Sequence, residues 1–174
     1  LQKQLGTTFV HVTHDQDEAM SIADTIVVMN HGRIEDRGSP DRIYMRPATL
    51  FAATFMGESN ILEARVIDAG NGDVSLRTAL ADVRIEGEAP ATAAVHLSVR
   101  PEHIKLEPPP DPISLGRVVI GEMVFQGAHR RCHATSLGAV PTELLLRVPV
   151  DQTVKTADEL EIFVRREDIV LLAD

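Results

Sequence analysis

The chain has 174 residues, of which 44% are apolar and 25% charged, with a formal net charge of −9. This is the composition of an ordinary globular protein with enough apolar residues for a sizeable core, which excludes collagenous and low-complexity chains. The acidic excess runs through both parts, −3 over residues 1–58 and −6 over residues 59–174, and only 3% of residues are aromatic, which excludes the basic, stacking surface of a nucleic-acid binder. Cys132 is the single cysteine. It rules out an internal disulfide and a cysteine metal cluster, and it is expected to be a buried small apolar residue in a reducing compartment. Apolar stretches such as 26–29 and 144–146 are far too short to span a bilayer, and no basic-then-apolar leader precedes them. The chain is therefore expected to be neither membrane-inserted nor secreted.

The chain opens at Leu1, not at methionine, on Gln-Lys-Gln-Leu-Gly, which reads as the end of a helix closed by Gly6. The expectation is a piece of something longer. Residues 7–12 form a near-continuous run of β-branched residues and phenylalanine, the pattern of a strand buried on both faces of a parallel sheet. Thr13-His14-Asp15 then turns into a helix, which places His14 beside backbone N–H groups whose partial positive charge favours an anion such as phosphate. Asp15 is expected to cap a short helix over 16–23, with Glu18 reaching back in a capping box and Asp17 adding an acid to the first turn. A strand at 25–29, turn chemistry at Asn30-His31-Gly32 and a returning arm at 33–37 predict a hairpin, with His31 exposed in its turn. Ser39-Pro40 starts another helix, Pro47 stops it, and a last helix over 48–56 ends at Gly57.

Beyond Ser59-Asn60 the pattern changes to short alternating stretches separated by glycine, proline and aspartate. Strands are expected near 61–67, 74–77, 83–85, 94–99, 104–106, 117–125, 130–135, 143–148, 159–164 and 169–172, which suggests small closed barrels. Pro108-Pro109-Pro110-Asp111-Pro112 lacks four backbone donors and predicts a stiff connector near 107–115 between two β lobes. The expected fold class is an α/β segment over 1–58 followed by an all-β, OB-like barrel domain over 59–174, predominantly β overall.

Several spaced motifs now coincide: Val12-Thr13-His14-Asp15-Gln16-x-Glu18-Ala19, Ala23-Asp24-x-Ile26-Val27-Val28-Met29-Asn30-x-Gly32-Arg33-Ile34, Gly38-x-Pro40-x-x-Ile43-Tyr44-x-x-Pro47 and Phe55-Met56-Gly57-x-x-Asn60. Together they resemble the end of the nucleotide-binding domain of an ATP-binding cassette (ABC) importer subunit. The β half is similar to the transport-associated OB (TOBE) domain that follows it in importers of polyamine, ferric iron, sugars and related solutes. Val99-Arg100-Pro101-Glu102, Gly116-Arg117-Val118 and Glu122-Met123-Val124-Phe125-Gln126-Gly127 carry that likeness. Asp36 stands where the family pattern has glutamine, and the expectation is that it lies on the hairpin surface.

The resemblance implies that His14 is the switch-loop histidine, a catalytic residue that contacts the ATP γ-phosphate and the attacking water. A neutral imidazole suits that task, since phosphoryl transfer depends on positioning and charge stabilisation. Asp15 reads as a helix cap, not as a base. The cofactors implied are ATP and Mg²⁺ in an intact subunit. No G-x-x-x-x-G-K-[ST] occurs in the chain, and the family's Walker B acid and signature motif would lie before Leu1, so the chain alone is expected to be inactive and to bind no nucleotide. The partners implied are a second copy of the same subunit, a membrane-spanning permease pair and, indirectly, a periplasmic solute-binding protein, with the subunit on the cytoplasmic face of a bacterial inner membrane. The Gly57-Glu58-Ser59-Asn60 junction leans towards polyamine-type relatives. The alternative is a stand-alone regulatory or ligand-binding OB module whose first 58 residues form a structural collar. A third reading, an independent His-dependent hydrolase, has no serine or cysteine nucleophile in a recognisable setting.

Overall fold

The computed structural model describes residues 6–88 and 90–172. The helix end read at the start of the chain lies outside them, although Gly6 has the positive φ (60°) of a terminating glycine. Helix α1 spans Gln16–Ile22, and Asp15 caps it by accepting a hydrogen bond from Glu18 N at 3.0 Å. The capping box is not completed, because the Glu18 carboxylate turns instead to His11, 3.2 Å away. Strands β1 (Ile26–Asn30) and β2 (Arg33–Gly38) form the expected antiparallel hairpin, with His31 (φ 45°) and Gly32 (φ 76°) in the left-handed conformations that a tight two-residue turn demands. Helix α2 (Pro40–Met45) starts on the Ser39 cap, and α3 (Leu50–Phe55) starts on Thr49, later than the expected residue 48. Ala48 N is engaged elsewhere, donating to the Asp36 carboxylate at 2.8 Å.

The expected strand at 7–12 is absent. Phe9, Val10 and Val12 are exposed, the two valines at 90%. A strand of a parallel sheet needs neighbours on its edges and helices over its faces, and the described part of the chain supplies neither. For the same reason β1 is buried on one face alone. Ile26 and Val28 join Ile43 and Met56 in a small cluster, while Val27 and Met29 face solvent together with Ile34 of β2.

The remaining strands form two antiparallel sheets. β3 (Asn60–Gly70), β4 (Asp73–Thr78), β5 (Asp82–Glu86), β6 (Ala94–Val99) and β11 (Ile169–Leu172) lie in the order β11-β6-β3-β4-β5. β7 (Pro112–Phe125), β8 (His129–Ser136), β9 (Glu143–Pro149) and β10 (Glu159–Arg165) lie in the order β10-β7-β8-β9. Both sheets curl, bulges breaking the register in β3 and β7, and they close on one shared core that runs from Leu62 through Leu97, Leu115 and Ile120 to Leu146 and Ile162. This OB-like β body makes the chain predominantly β. Cys132 lies in that core, and burial raises its thiol pKa. Among the described residues no helix is long and apolar enough to cross a membrane.

The sheets are built on a repeat. Val99-Arg100-Pro101-Glu102-His103-Ile104 recurs as Val164-Arg165-Arg166-Glu167-Asp168-Ile169, and each copy runs from a strand end through a single 3₁₀ turn and back to extended chain. The two copies then swap sheets. β11 pairs with β6 of the first sheet, while Lys105 bridges Phe163 of β10 in the second. The strand expected at 104–106 is thereby reduced to one bridge. The proline run ends earlier than expected, since Pro112 already opens β7, pairing with Arg165 at the first strand position, where a missing N–H is tolerated.

Candidate functional site

His14 lies on the bend between the 7–13 segment and α1, and its side chain is exposed. Its neighbours bond to one another. Thr13 Oγ1 accepts from Asp15 N at 3.0 Å, Asp15 accepts from Glu18 N, and Glu18 pairs with His11. The Thr13 hydroxyl, and then His11, hold the Glu18 carboxyl below its usual range. The turn is thus fixed by its own polar groups, and His14 forms no hydrogen bond within the described residues. Such an imidazole can donate to, or accept from, a group brought to it from outside. Among the described residues no cluster of three or more His, Cys, Asp or Glu side chains could hold a metal ion.

A denser polar constellation lies where the N-terminal layer meets the β body. Arg100 is 3% exposed and reaches across to three carbonyl oxygens: Tyr44 O from both Nε (3.1 Å) and Nη2 (2.8 Å), and Ala53 O (3.0 Å) and Glu58 O (2.9 Å) from Nη1. Tyr44 O and Ala53 O belong to the last turns of α2 and α3, which have no helical partner and carry the negative end of each helix dipole. The guanidinium also stacks on the Tyr44 ring, 4.1 Å from its centroid. Gly57 (φ 110°) makes this approach possible, because a Cβ there would sit 3.0 Å from the Tyr44 ring.

Around Arg100 runs a half-buried ring of charge. Tyr44 OH donates to Glu102 at 2.6 Å, Glu102 faces Arg147 at 3.4 Å, and Glu58 receives Arg147 at 3.3 Å and Arg131 at 2.7 Å. Burial pushes the Tyr44 phenol up, with the Glu102 carboxylate adding to the shift. Burial would raise Glu58 as well, but the two arginines outweigh it and hold the carboxyl below its usual range. A cleft of about 610 Å³ opens beside this ring, between α1, α2 and Arg147. Sequence reasoning used Arg100 and Glu102 as motif letters, but the carbonyls that Arg100 serves and the Tyr44 hydroxyl and Arg147 that Glu102 meets are decided by tertiary contact.

Asp36 corrects the expectation of a surface position. It is 6% exposed, paired with Arg42, and accepts from Arg37 N and Ala48 N. Burial alone would raise its pKa, but these bonds outweigh it and lower it. Asn60 is likewise spent internally, its carboxamide bonding Leu145 N at 2.7 Å and Leu145 O at 2.9 Å as a strand residue would, which ties the two sheets together.

No family model matches the chain. Curated proteins do match it, and they define its class: they are ATP-binding subunits of ABC importers. The Fe(3+) ions import ATP-binding protein FbpC of Brucella abortus (strain 2308) is 44% identical over 108 residues, 62% of this chain and 31% of that protein. The spermidine/putrescine import ATP-binding protein PotA of Acetivibrio thermocellus is 43% identical over 129 residues, 74% of this chain and 35% of that protein. PotA of Borrelia garinii subsp. bavariensis is 38% identical over 172 residues, 97% of this chain and 46% of that protein. The chain belongs to this family and corresponds to the C-terminal part of its members. It spans less than half the length of these relatives. Among solved structures, a molybdate-bound form of the cytoplasmic molybdate-binding protein ModG aligns with a TM-score of 0.48 at 8% identity, over 64% of this chain and 94% of that one.

Proposed function

We propose that residues 1–58 are the tail of a nucleotide-binding domain and residues 59–174 its accessory β domain, and that the full-length subunit hydrolyses ATP to drive uptake of a small solute. His14 would be the catalytic residue that meets the ATP γ-phosphate. The observation that carries this reading is the His14 turn: Thr13, Asp15, Glu18 and His11 are bonded within the turn, and the exposed imidazole is left to face a group from outside. The described residues fit one contact to ATP, and in this reading the Mg²⁺ ligands come from the rest of the subunit. ATP supplies the transferable phosphoryl group; His14 supplies a positioned donor or acceptor at the γ-phosphate oxygen or the attacking water. A second copy, the permease pair and, indirectly, the periplasmic binding protein are the partners this reading entails, at the cytoplasmic face of the membrane. The apolar face of 7–12, β1 and β2 would then be covered by the remainder of the subunit.

The names of the relatives cover both ferric iron and spermidine/putrescine. The polyamine leaning rests on the 57–60 junction, whose Glu58, Ser59 and Asn60 are all engaged in internal bonds, so a polyamine assignment draws its support from the PotA relatives instead. The test is His14→Ala in the full-length subunit. Nucleotide binding is expected to persist while turnover falls roughly 10²-fold or more, the scale of a lost acid/base or charge-stabilising group. Unchanged turnover would refute the role of His14.

A further inference from the structure

We propose that Arg100 is a positioning residue: from the β body it fixes the ends of α2 and α3, and so holds the layer that carries His14 in one register. The proposal rests on the functional reading of His14 given above. Its basis is the geometry of the joint. A buried guanidinium is retained only when its donors are satisfied, and here four bonds to three carbonyls do so without a direct carboxylate partner. Two of those carbonyls end helices that are each only six residues long, so one side chain terminates both. α2 in turn packs against α1, the helix that His14 precedes. The planar fork matters as much as the charge. A lysine ammonium has three donors on a single nitrogen and no planar face, so it could not make these four bonds or stack flat on Tyr44.

The equivalent residue in the second repeat behaves differently. Arg165 is turned onto its own copy, paired with Asp168 at 2.7 Å and with Glu167 at 2.8 Å. In the first copy the position of Asp168 is taken by His103, which leaves Arg100 available to reach across the seam. The substitution of histidine for aspartate at one repeat position thus separates a strap within the β body from a strap between it and the helices.

Tyr44 is the only tyrosine of these 174 residues, which hold no tryptophan, so ultraviolet titration of its phenol in the 174-residue chain reads the joint directly. In that chain, Arg100→Lys is expected to open the seam, letting Tyr44 ionise at an ordinary phenol pH, while the cooperative melt of the β body persists on its own core. In a full-length subunit carrying this sequence, Mg-ATP affinity should stay within a few-fold and kcat should fall roughly ten- to a hundredfold, the cost of misplacing a catalytic group by about an ångström. Glu102→Gln, which leaves Arg100 in place, should lower the Tyr44 titration with little loss of kcat. An unshifted Tyr44 titration in Arg100→Lys, or a shifted one with kcat intact, overturns the proposal. His14→Ala measured alongside separates the two claims. If it lowers turnover while Arg100→Lys does not, the positioning role alone fails; if it too is without effect, the functional reading fails and the proposal with it.

Discussion

Residues 6–58 gather Ile26, Val28, Ile43 and Met56 into a small cluster and leave Phe9, Val10, Val12, Met29 and Ile34 in solvent, whereas the β body closes two sheets on one continuous core. The contrast teaches what local and non-local forces each settle. Caps and turns are enough to set α1, the β1–β2 hairpin, α2 and α3, because Asp15, Ser39, Thr49 and Gly32 act within a few residues of themselves. A buried strand needs partner strands from elsewhere in a fold, and the 7–12 segment forms no strand among the described residues. The β body supplies its own partners by exchanging strands between its two repeats.

The contrast can be broken at its cores. Leu97→Ala, at a fully buried position of β6, is expected to lower the stability of the β body by about 2–5 kcal/mol, seen as a fall in its Tm. Ile43→Ala, equally buried in α2, should leave that transition in place and loosen the N-terminal layer alone, because its cluster lies apart from the larger core. If Ile43→Ala lowers the main Tm as much as Leu97→Ala, the two regions form one cooperative unit.

A smaller effect is expected at Asp36, whose carboxylate joins β2, α2 and the turn before α3. Asp36→Asn should cost about 1.5–3 kcal/mol, the worth of charged hydrogen bonds left unmade, and should speed amide exchange over 36–50. The pH dependence carries a sign. Because the folded pKa of Asp36 is lowered, its contribution is complete above the ordinary aspartate pKa and is lost as pH falls through the depressed folded value. Wild-type protection factors over 36–50, taken relative to the intrinsic exchange rate at each pH, should therefore fall in acid, and the Asp36→Asn variant should not show that fall.

Much of the fold was legible as residue chemistry. Asp15, Ser39-Pro40 and Asn30-His31-Gly32 each place an element within a residue or two, because each signal acts locally, while the alternating stretches after Asn60 find most strands but end β3 three residues early, start β7 five residues late and put a strand at 104–106 where one bridge stands. The errors share one cause. Thr7 to Val12 carries strand propensity that only non-local pairing could realise, and Asp36 looked like a surface departure because a hairpin pattern cannot reveal which helix and turn fold back onto it. The 99–104 and 164–169 repeat was present in the letters, yet its meaning, the exchange of chain between the sheets, exists only in the pairing of Ile169 with Val99 and of Lys105 with Phe163. For the site, His14 was named by its motif, whereas Arg100 could be recognised as a strap only once Tyr44, Ala53 and Glu58 were seen around it.

Hydrogen exchange of the isolated chain beside the full-length subunit tests the central claim most directly: that a self-sufficient β body supports an N-terminal layer completed by other parts of the subunit. The account predicts slow amides in β3, β6, β7, β8 and β10 in both samples, with residues 7–12 and the β1–β2 hairpin exchanging fast in the isolated chain and becoming protected in the full-length subunit. Protection of 7–12 already in the isolated chain as a monomer, or its continued fast exchange in the full-length subunit, would contradict it.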